Sequence, residues 1–200
     1  MYQLVESVRI ENRQLQHIEL HNQRLNRTML HLFGIDQKIR LEDIIELPTN
    51  LTENRYKCRV TVSPESMNVD ISPYIQREIK TLKVVHDNDI DYSYKSENRQ
   101  QLNAAFEKRN GCDDIIIIKN GCVTDSWAAN ILLFDGTDWI TPDTPLLQGV
   151  QREYLLAQNQ IKLKRVKETE ILSFQKIRLI NAMIDFERAP EIIITEGVFF

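Results

Sequence analysis

The chain has 200 residues, of which 42% are hydrophobic and 27% are charged, and this ordinary globular composition excludes a largely disordered protein. Its formal net charge is −4 and it contains no basic run, which argues against general binding to nucleic acid. The first residues lack the basic start and apolar core of a signal peptide, and no window approaches the roughly 20 apolar residues of a membrane span. We therefore expect a cytoplasmic protein without a membrane partner that acts on a small molecule.

The cysteines and histidines do not predict a metal site. Cys58, Cys112 and Cys122 are an odd number and lack C-x-x-C spacing, so they indicate reduced thiols and neither a disulfide framework nor a zinc site. His17 and His21 are four residues apart, but a predicted strand-to-helix junction separates them. Solvated or capping roles are therefore expected for these histidines.

The first half of the chain predicts a small N-terminal α+β domain. A strand is predicted from Leu4 to Ile10 and a partner strand from Leu15 to Leu20. Apolar residues then recur at helical spacing until Gly34, which would end the helix as a left-handed C-cap. The other elements predicted here are a short helix at 41–47 and strands at 56–62, 67–71 and 79–85. The polar run at 86–89 separates the predicted domains, 1–88 and 89–200.

The second half predicts a larger C-terminal domain with a mixed sheet. A helix through Leu102, Ala105 and Phe106 precedes an unbroken apolar strand at 115–118. Asn-Gly at 120–121 and Asp-Gly at 135–136 predict two hairpins, whose register decides where Asp125 points. The remaining predicted elements are a helix at 149–158, strands at 161–166, 177–181 and 192–194, and a short helix through 171–174. The apolar end at 198–200 is either docked on the core or exposed, and the pattern leaves both open.

Three chemical groups that pyridoxal 5'-phosphate requires occur in order along the chain. They are the pattern Tyr-Lys-x-x-Asn-Arg around Lys95, Val-Thr-Asp ending at Asp125, and Leu-Leu-x-Gly-Val-x-Arg ending at Arg152. An amine can form a Schiff base with the cofactor, and a carboxylate can keep the ring nitrogen protonated. A helix N-terminus, here expected at the third pattern, can bind the phosphate.

These ordered patterns resemble the class IV aminotransferase family, the fold type IV pyridoxal phosphate enzymes, over nearly the whole chain. The resemblance implies an α/β (α+β) fold of two domains with the cofactor between them. It also implies that Lys95 first holds the cofactor as a nucleophile and then removes the proton beside the substrate nitrogen. Asp125 stands where the family usually has glutamate and would pair with the ring nitrogen.

The resemblance assigns phosphate binding to two stretches. His21-Asn22-Gln23-Arg24-Leu25 is similar to the family's His-x-x-Arg-Leu, whose arginine grips the phosphate, a role that suits the fork geometry of a guanidinium. The amides of Val150 and Gln151, at the expected helix start, would bind it too. The family often has threonine or serine in place of Gln151. Arg152 matches a recurrent family arginine but is given no cofactor role.

Two short stretches resemble one branch of the family. Ala128-Ala129-Asn130 and Asn181-Ala182-Met183 are similar to runs of the 4-amino-4-deoxychorismate lyases rather than to the aminotransferase counterparts. The implied substrate contacts are Ala128, Ala129, Asn181 and Ala182, with Arg178 as a source of positive charge. The implied reaction converts a small amino substrate to 4-aminobenzoate, a folate precursor, and pyruvate. The resemblance also implies a homodimer.

Two alternatives stay open. One is a class IV aminotransferase acting on branched-chain or D-amino acids, which would need a 2-oxo acid as second substrate. The other is a truncated relative without catalytic activity, because Asp125 and Gln151 depart from the family pattern. The Gly-Asp-Gly segment that the family places before the first strand is also missing from the sequence, so part of the pocket wall is expected to be missing or supplied otherwise.

Overall fold

The computed structural model describes residues 2–200, which form two compact units. The first unit contains the residues up to Ile75 together with Tyr94–Asn98, and the second contains Gln76–Ser93 and Arg99–Phe200. The units interleave along the chain, and the predicted domain division after residue 88 stays a prediction. Among residues 2–200, no helix combines the length and apolar character needed to cross a membrane.

The first unit is a four-stranded antiparallel sheet with one long helix packed on it. Its elements are β1 (Leu4–Glu11), β2 (Gln14–Leu15), α1 (Ile18–Phe33), a 3-10 turn (Leu41–Asp43), β3 (Tyr56–Val62) and β4 (Met67–Pro73). The sheet order is β2-β1-β3-β4. The predicted strand at 15–20 is wrong beyond Leu15. There the backbone of His17 turns into the left-handed region, with φ 53°, and the helix begins at the next residue.

One face of β1 forms the core of the first unit. Leu4, Val8 and Ile10 lie on that face and pack in one apolar cluster with Leu25 and Met29 of α1. Successive strand residues alternate between the two faces, so Glu6 belongs to the same row as Leu4 and Val8. A carboxylate is therefore built into an otherwise apolar core row.

The segment Tyr94–Asn98 pairs with the start of β1. The amide of Val5 donates to the carbonyl of Lys95 at 2.8 Å, and the amide of Glu97 donates to the carbonyl of Gln3 at 2.8 Å. These bonds occupy backbone groups that β1 would otherwise leave free at this edge. They also fix the backbone of Lys95 opposite the residue that precedes Glu6.

The second unit contains two sheets. Its elements are β5 (Leu82–His86), α2 (Gln100–Glu107), β6 (Asp114–Lys119), β7 (Cys122–Val123), β8 (Asn130–Phe134), β9 (Trp139–Pro142), α3 (Val150–Ala157), β10 (Lys162–Lys164), a 3-10 helix (Glu168–Ser173), β11 (Lys176–Ile180), β12 (Glu191–Ile193), α4 (Ile194–Gly197) and β13 (Val198–Phe199). The sheet orders are β13-β5-β6-β7 and β10-β9-β8-β11-β12. Both sheets mix parallel and antiparallel neighbours, as the sequence predicts.

The strand β6 is buried on both faces. Ile116 and Ile118 pack in one apolar cluster, while Ile115 and Ile117 pack in another that includes α2. The hairpin after β6 has positive φ at both turn residues, 52° at Asn120 and 72° at Gly121, the conformation of a two-residue type I′ turn.

The chain end docks as a strand. β13 pairs in parallel with β5, which resolves the alternative left open by the sequence. Val198 is buried in the core, whereas Phe199 and Phe200 are exposed.

Candidate functional site

A buried carboxylate on β1 holds two side chains of α1. Glu6 Oε2 lies 2.6 Å from His21 Nδ1. Arg24 donates from Nε to Glu6 Oε1 at 2.9 Å and from Nη2 to Oε2 at 2.5 Å. His21 and Arg24 can both reach Glu6 because they lie three residues apart on one helical face. The predicted phosphate-binding arginine is thus fixed to the sheet at two points.

This cluster sets the protonation states of its members. Burial alone would raise the pKa of Glu6, but the charge of Arg24 and the hydrogen bond from His21 outweigh it and lower the pKa to about 2. Burial lowers the pKa of His21, although Glu6 acts in the opposite direction. The neutral His21 ring therefore donates from Nδ1, which leaves Nε2 as an acceptor. His21 Nε2 is buried and has no hydrogen-bond partner within residues 2–200.

Lys95 lies in the same unit as Glu6 and is half-buried. The charge of Lys95 is one of those that lower the pKa of His21, so the ammonium group acts on this cluster over a short distance. Arg24 is therefore bonded to Glu6, and Lys95 acts on His21, the other partner of that carboxylate.

Asp125, in the second unit, is 5% exposed and receives its hydrogen bonds from neutral groups. Asn130 Nδ2 donates to Oδ1 at 2.8 Å, and the amide of Leu147 donates to Oδ2 at 2.9 Å. Burial raises the pKa of Asp125 to about 6, against the lowering effects of these hydrogen bonds and of the Arg152 charge. Asp125 is therefore an acid whose ionised form is only moderately favoured at neutral pH.

The start of α3 has polar groups without protein partners. The first amide bonded within this helix is that of Glu153, which donates to the Gly149 carbonyl at 2.9 Å. The amides of Val150, Gln151 and Arg152 have no intrahelical acceptor, and in the described chain no side chain caps the helix. Gln151 is 2% exposed and its Oε1 has no partner among residues 2–200. Unpaired amides beside a buried, unpartnered side-chain amide form a site that fits an anion such as phosphate.

Arg152 has a structural role at the same helix. Its Nε donates to Thr141 Oγ1 at 3.1 Å and its Nη2 to the Pro142 carbonyl at 3.0 Å. These bonds attach α3 to the end of β9.

Arg178 is also engaged by the protein. It donates to Glu191 Oε2 from Nε at 3.1 Å and from Nη2 at 2.9 Å, and its Nη1 donates to the Phe186 carbonyl at 3.0 Å. The rings of Trp139 and Phe186 lie 4.8 and 4.6 Å from its guanidinium carbon. All three nitrogens have acceptors, so a substrate carboxylate would compete with Glu191 for this guanidinium. The substrate contact of Arg178 stays a prediction.

The two stretches of small residues are adjacent. Asn181 Nδ2 donates to the Ala128 carbonyl at 3.0 Å, which joins the turn containing Ala182 to the loop containing Ala129. Asn181 Oδ1 accepts the amide of Met183 at 2.9 Å, so this turn is fixed locally. Ala128 is exposed and Ala182 is partly buried, whereas Ala129 packs against the core of the second unit.

The fold places the chain in the class IV aminotransferase family. The family model of class IV amino-transferases matches residues 3–192, and the chain belongs to that family of pyridoxal-phosphate-dependent enzymes. An uncharacterized protein of Haemophilus influenzae (strain ATCC 51907 / DSM 11121 / KW20 / Rd) is 38% identical over 185 residues, which cover 92% of this chain and 98% of that protein. The family predicted from the ordered motifs is confirmed.

Solved structures show the same fold. A Haemophilus somnus 129PT protein, provisionally named a 4-amino-4-deoxychorismate lyase, matches with a TM-score of 0.86 at 34% identity, covering 92% of this chain and 97% of that one. A Mesorhizobium loti protein, provisionally named an amino-acid aminotransferase, has a TM-score of 0.83 at 15% identity and 100% coverage of both chains. A hypothetical aminotransferase from Mycobacterium tuberculosis, in its PLP-bound form, has a TM-score of 0.77 at 16% identity, covering 98% and 81%. The last two likenesses concern the fold alone.

The predicted fold class and the cofactor of the family are thereby confirmed, and this chain has groups that fit the cofactor. Lys95 offers an amine, Asp125 a buried acid, and Arg24 a guanidinium. The unpartnered Gln151 at the start of α3 adds a polar site for the phosphate. The roles of the individual residues stay predictions.

Glu6, Asn130 and Gly149 were not among the predicted site residues. Glu6 had a signal, since a carboxylate in a row of alternating apolar residues is unfavourable unless it has a buried partner. Asn130 and Gly149 stand inside recognised motifs. No local pattern reveals that their atoms meet, because the contact depends on how the loop before α3 folds back.

Proposed function

We propose that this chain is a pyridoxal-phosphate-dependent lyase that converts 4-amino-4-deoxychorismate to 4-aminobenzoate and pyruvate. The observation that carries the proposal is the hydrogen bond from Asn181 to the Ala128 carbonyl. It brings together the two stretches on which the resemblance to the lyase branch rests. The 34% identity to the Haemophilus somnus protein provisionally given that name also favours it.

In this proposal, different residues bind different parts of the cofactor. Lys95 binds it covalently and Arg24 binds the phosphate, with Glu6 keeping that guanidinium in place. The amides of Val150 and Gln151 bind the phosphate as well. Asp125 binds the ring nitrogen through its ionised carboxylate. When bound, the cofactor supplies an electron sink for charge that develops beside the substrate nitrogen.

Lys95 is also the proposed base. Its free amino group would take the proton from the ring carbon that carries the substrate nitrogen. Cleavage of the bond between the ring and the enolpyruvyl oxygen would then make the ring aromatic and release enolpyruvate, which becomes pyruvate by taking up one proton at its methylene carbon, in balance with the proton removed from the ring. Ala128, Ala129 and Ala182 provide room for the substrate ring because their side chains are methyl groups.

The test measures products and covalent cofactor together. Purified protein loaded with pyridoxal phosphate should release 4-aminobenzoate and pyruvate in equal amounts from 4-amino-4-deoxychorismate. Borohydride should fix the cofactor on the wild-type protein and on K108A, a change at an exposed lysine, but not on K95A. Amino-group transfer to a 2-oxo acid with no aromatic product would instead establish the aminotransferase. Protein that binds no cofactor would establish the non-catalytic relative.

The homodimer implied by the family resemblance is part of the proposal. One chain has a mass of 23.5 kDa. Sedimentation equilibrium should therefore give about twice that mass, and a concentration-independent monomer mass would contradict it.

A further inference from the structure

The side chain of Asn130 connects Asp125 to the loop before α3. Asn130 is 5% exposed, and its Nδ2 donates to Asp125 Oδ1 at 2.8 Å and to the Leu147 carbonyl at 2.8 Å. Both hydrogens of this amide nitrogen are therefore used. A flipped amide would place its oxygen against two other oxygens, so the network fixes its orientation. The position requires a side chain that donates twice.

Gly149 leaves the space that the Asn130 amide occupies. A Cβ atom added at Gly149 would overlap Asn130 Oδ1 and would lie 3.2 Å from Asn130 Cγ. The φ of Gly149 is −78°, which any residue adopts, so the glycine is explained by this close approach and not by backbone conformation. Asn130 and Gly149 form a matched pair immediately before the first turn of α3, because the Asn130 amide occupies the space that a side chain at position 149 would need.

These contacts attach Asp125 to the start of α3. The Leu147 amide donates to Asp125 Oδ2 at 2.9 Å, and the Leu147 carbonyl accepts the second hydrogen of the Asn130 amide. Gly149, against which Asn130 packs, is the residue that precedes Val150. The acid and the unpaired helix amides are thus held by one compact network.

We propose that Asn130, paired with Gly149, is a positioning residue that fixes the Asp125 carboxylate relative to the phosphate-binding amides of α3. The inference rests on the proposed function, in which the Asp125 carboxylate and the α3 amides bind the same cofactor. Asn130 acts through Asp125 and Leu147. Its amide sets the spacing between the parts of the site that bind the ring nitrogen and the phosphate.

Asn130 also affects the charge of Asp125. The Asn130 hydrogen bond favours the ionised carboxylate against the effect of burial, and Arg152 on α3 is the charged group that acts in the same direction. Removing the side-chain amide leaves Asp125 with the backbone amides of Leu146 and Leu147 as donors. The pKa of Asp125 should then rise further, and fewer molecules would carry the charge at neutral pH.

The first experiment uses the unliganded protein. The pKa of Asp125 is measured by carbon NMR in wild type, N130A and the control N103A, which removes an exposed asparagine of the same unit. N130A should raise the pKa and N103A should leave it unchanged. An unchanged pKa in folded N130A would overturn the inference even if the protein binds the cofactor. If N130A does not fold, N130S provides the measurement, because it removes one of the two donors.

The second experiment measures dissociation constants for pyridoxal phosphate and for inorganic phosphate. N130A should weaken cofactor binding by roughly tenfold or more, the usual consequence of losing a hydrogen bond to a charged group, and should weaken inorganic phosphate less. G149A should weaken the cofactor similarly because its methyl group displaces the Asn130 amide. Equal weakening of both ligands, or wild-type cofactor affinity, would overturn the positioning role.

The double variant N130A/G149A tests the pairing directly. The N130A change removes the atoms that a methyl group at position 149 would meet, so the double variant should bind the cofactor about as weakly as N130A alone. Additive losses would overturn the matched pair. Wild-type protein that does not bind the cofactor would refute the proposed function instead, while the NMR measurement would still decide the link between Asn130 and Asp125.

Discussion

The buried carboxylates of Glu6 and Asp125 are stabilised in different ways. Glu6 has a guanidinium and an imidazole as partners, so its pKa falls to about 2 despite burial. Asp125 is bonded by neutral amides, and burial keeps its pKa at about 6. The fold therefore stabilises the charged form of one acid and the neutral form of the other, and their contributions to stability change with pH in opposite directions.

Replacing Glu6 should destabilise the protein at neutral pH. E6Q removes the buried carboxylate that Arg24 binds in the core, and we expect the free energy of unfolding to fall by about 3 kcal/mol. Because the folded pKa of Glu6 is lowered, its contribution is present above about pH 4.5 and is lost toward pH 2. Urea unfolding across this range should show the difference from wild type shrinking as the pH falls.

The matched control is D138N, which changes the carboxylate of the exposed Lys162–Asp138 ion pair. This pair lies in solvent, so its loss should not change the urea midpoint measurably. Equal effects of E6Q and D138N would contradict the importance of the buried cluster.

Replacing Asp125 should affect stability and binding differently. The folded pKa of Asp125 is raised, so its stabilising contribution is full below about pH 3.8 and is lost as the pH rises through about 6. Between pH 4 and 8, wild type should therefore lose about 2 kcal/mol more stability than D125N, from the difference in pKa. Chemical unfolding of the unliganded proteins measures this difference. D125N should nevertheless bind pyridoxal phosphate more weakly, and equal pH dependence of the two proteins would contradict the raised pKa.

At the scale of elements, the hairpin turn at 120–121 helps to orient Asp125. The amide of Thr124 donates to the Ile117 carbonyl and the amide of Ile117 donates to the Asp125 carbonyl, both at 2.9 Å, so two residues after the turn bond to Ile117 in a β-bulge that places Asp125. A slip by one residue would point the Asp125 side chain to the opposite face. The Asn-Gly turn therefore contributes to the site although it lies outside it.

The conformational strain at Gly121 can be measured by comparison with Gly111, a second glycine of similar backbone conformation. Gly121 and Gly111 both have positive φ, 72° and 84°, and a Cβ at either position meets nothing within 4 Å. G121A and G111A should each cost about 1 kcal/mol, since only backbone conformation penalises the methyl group. Urea unfolding of the two variants should give similar losses, and wild-type stability in G121A would contradict the left-handed turn.

Sequence patterns predicted the elements that have strong local signals. The strand at 56–62 and the capped end of α1 at Gly34 were correct because alternation and a left-handed glycine are local properties. The helix at 41–47 proved to be a 3-10 turn of three residues, since its apolar residues serve a loop that packs on the core. The motifs predicted the candidate site residues, but hydrogen bonds between residues far apart in the sequence could not be predicted from local patterns. The bonds of Glu6 to α1 and of Asn130 to the loop before α3 depend on the folded chain.

At the scale of the whole molecule, the proposed cofactor links ligand binding to the stability of the chain. A ligand that binds only the folded protein stabilises it against unfolding, by about 2.7 kcal/mol at a concentration one hundred times its dissociation constant.

Hydrogen exchange can detect this linkage. Pyridoxal phosphate should slow exchange of the α1 amides near Arg24 and of the amides near Gln151, and K95A should weaken both effects. Unchanged exchange at either set of amides would contradict the cofactor-binding role of the residues beside it.

The sequence of β6 affects how readily the protein aggregates during refolding. Its four consecutive isoleucines are fully buried in the native state, but during refolding they form an uncharged segment of high β-propensity that can join another chain. Asp114 and Lys119 bracket the segment with charges, an arrangement that opposes such association. Refolding yield from urea should therefore fall as protein concentration rises, and neutralising Lys119 should move the onset of aggregation to lower concentration.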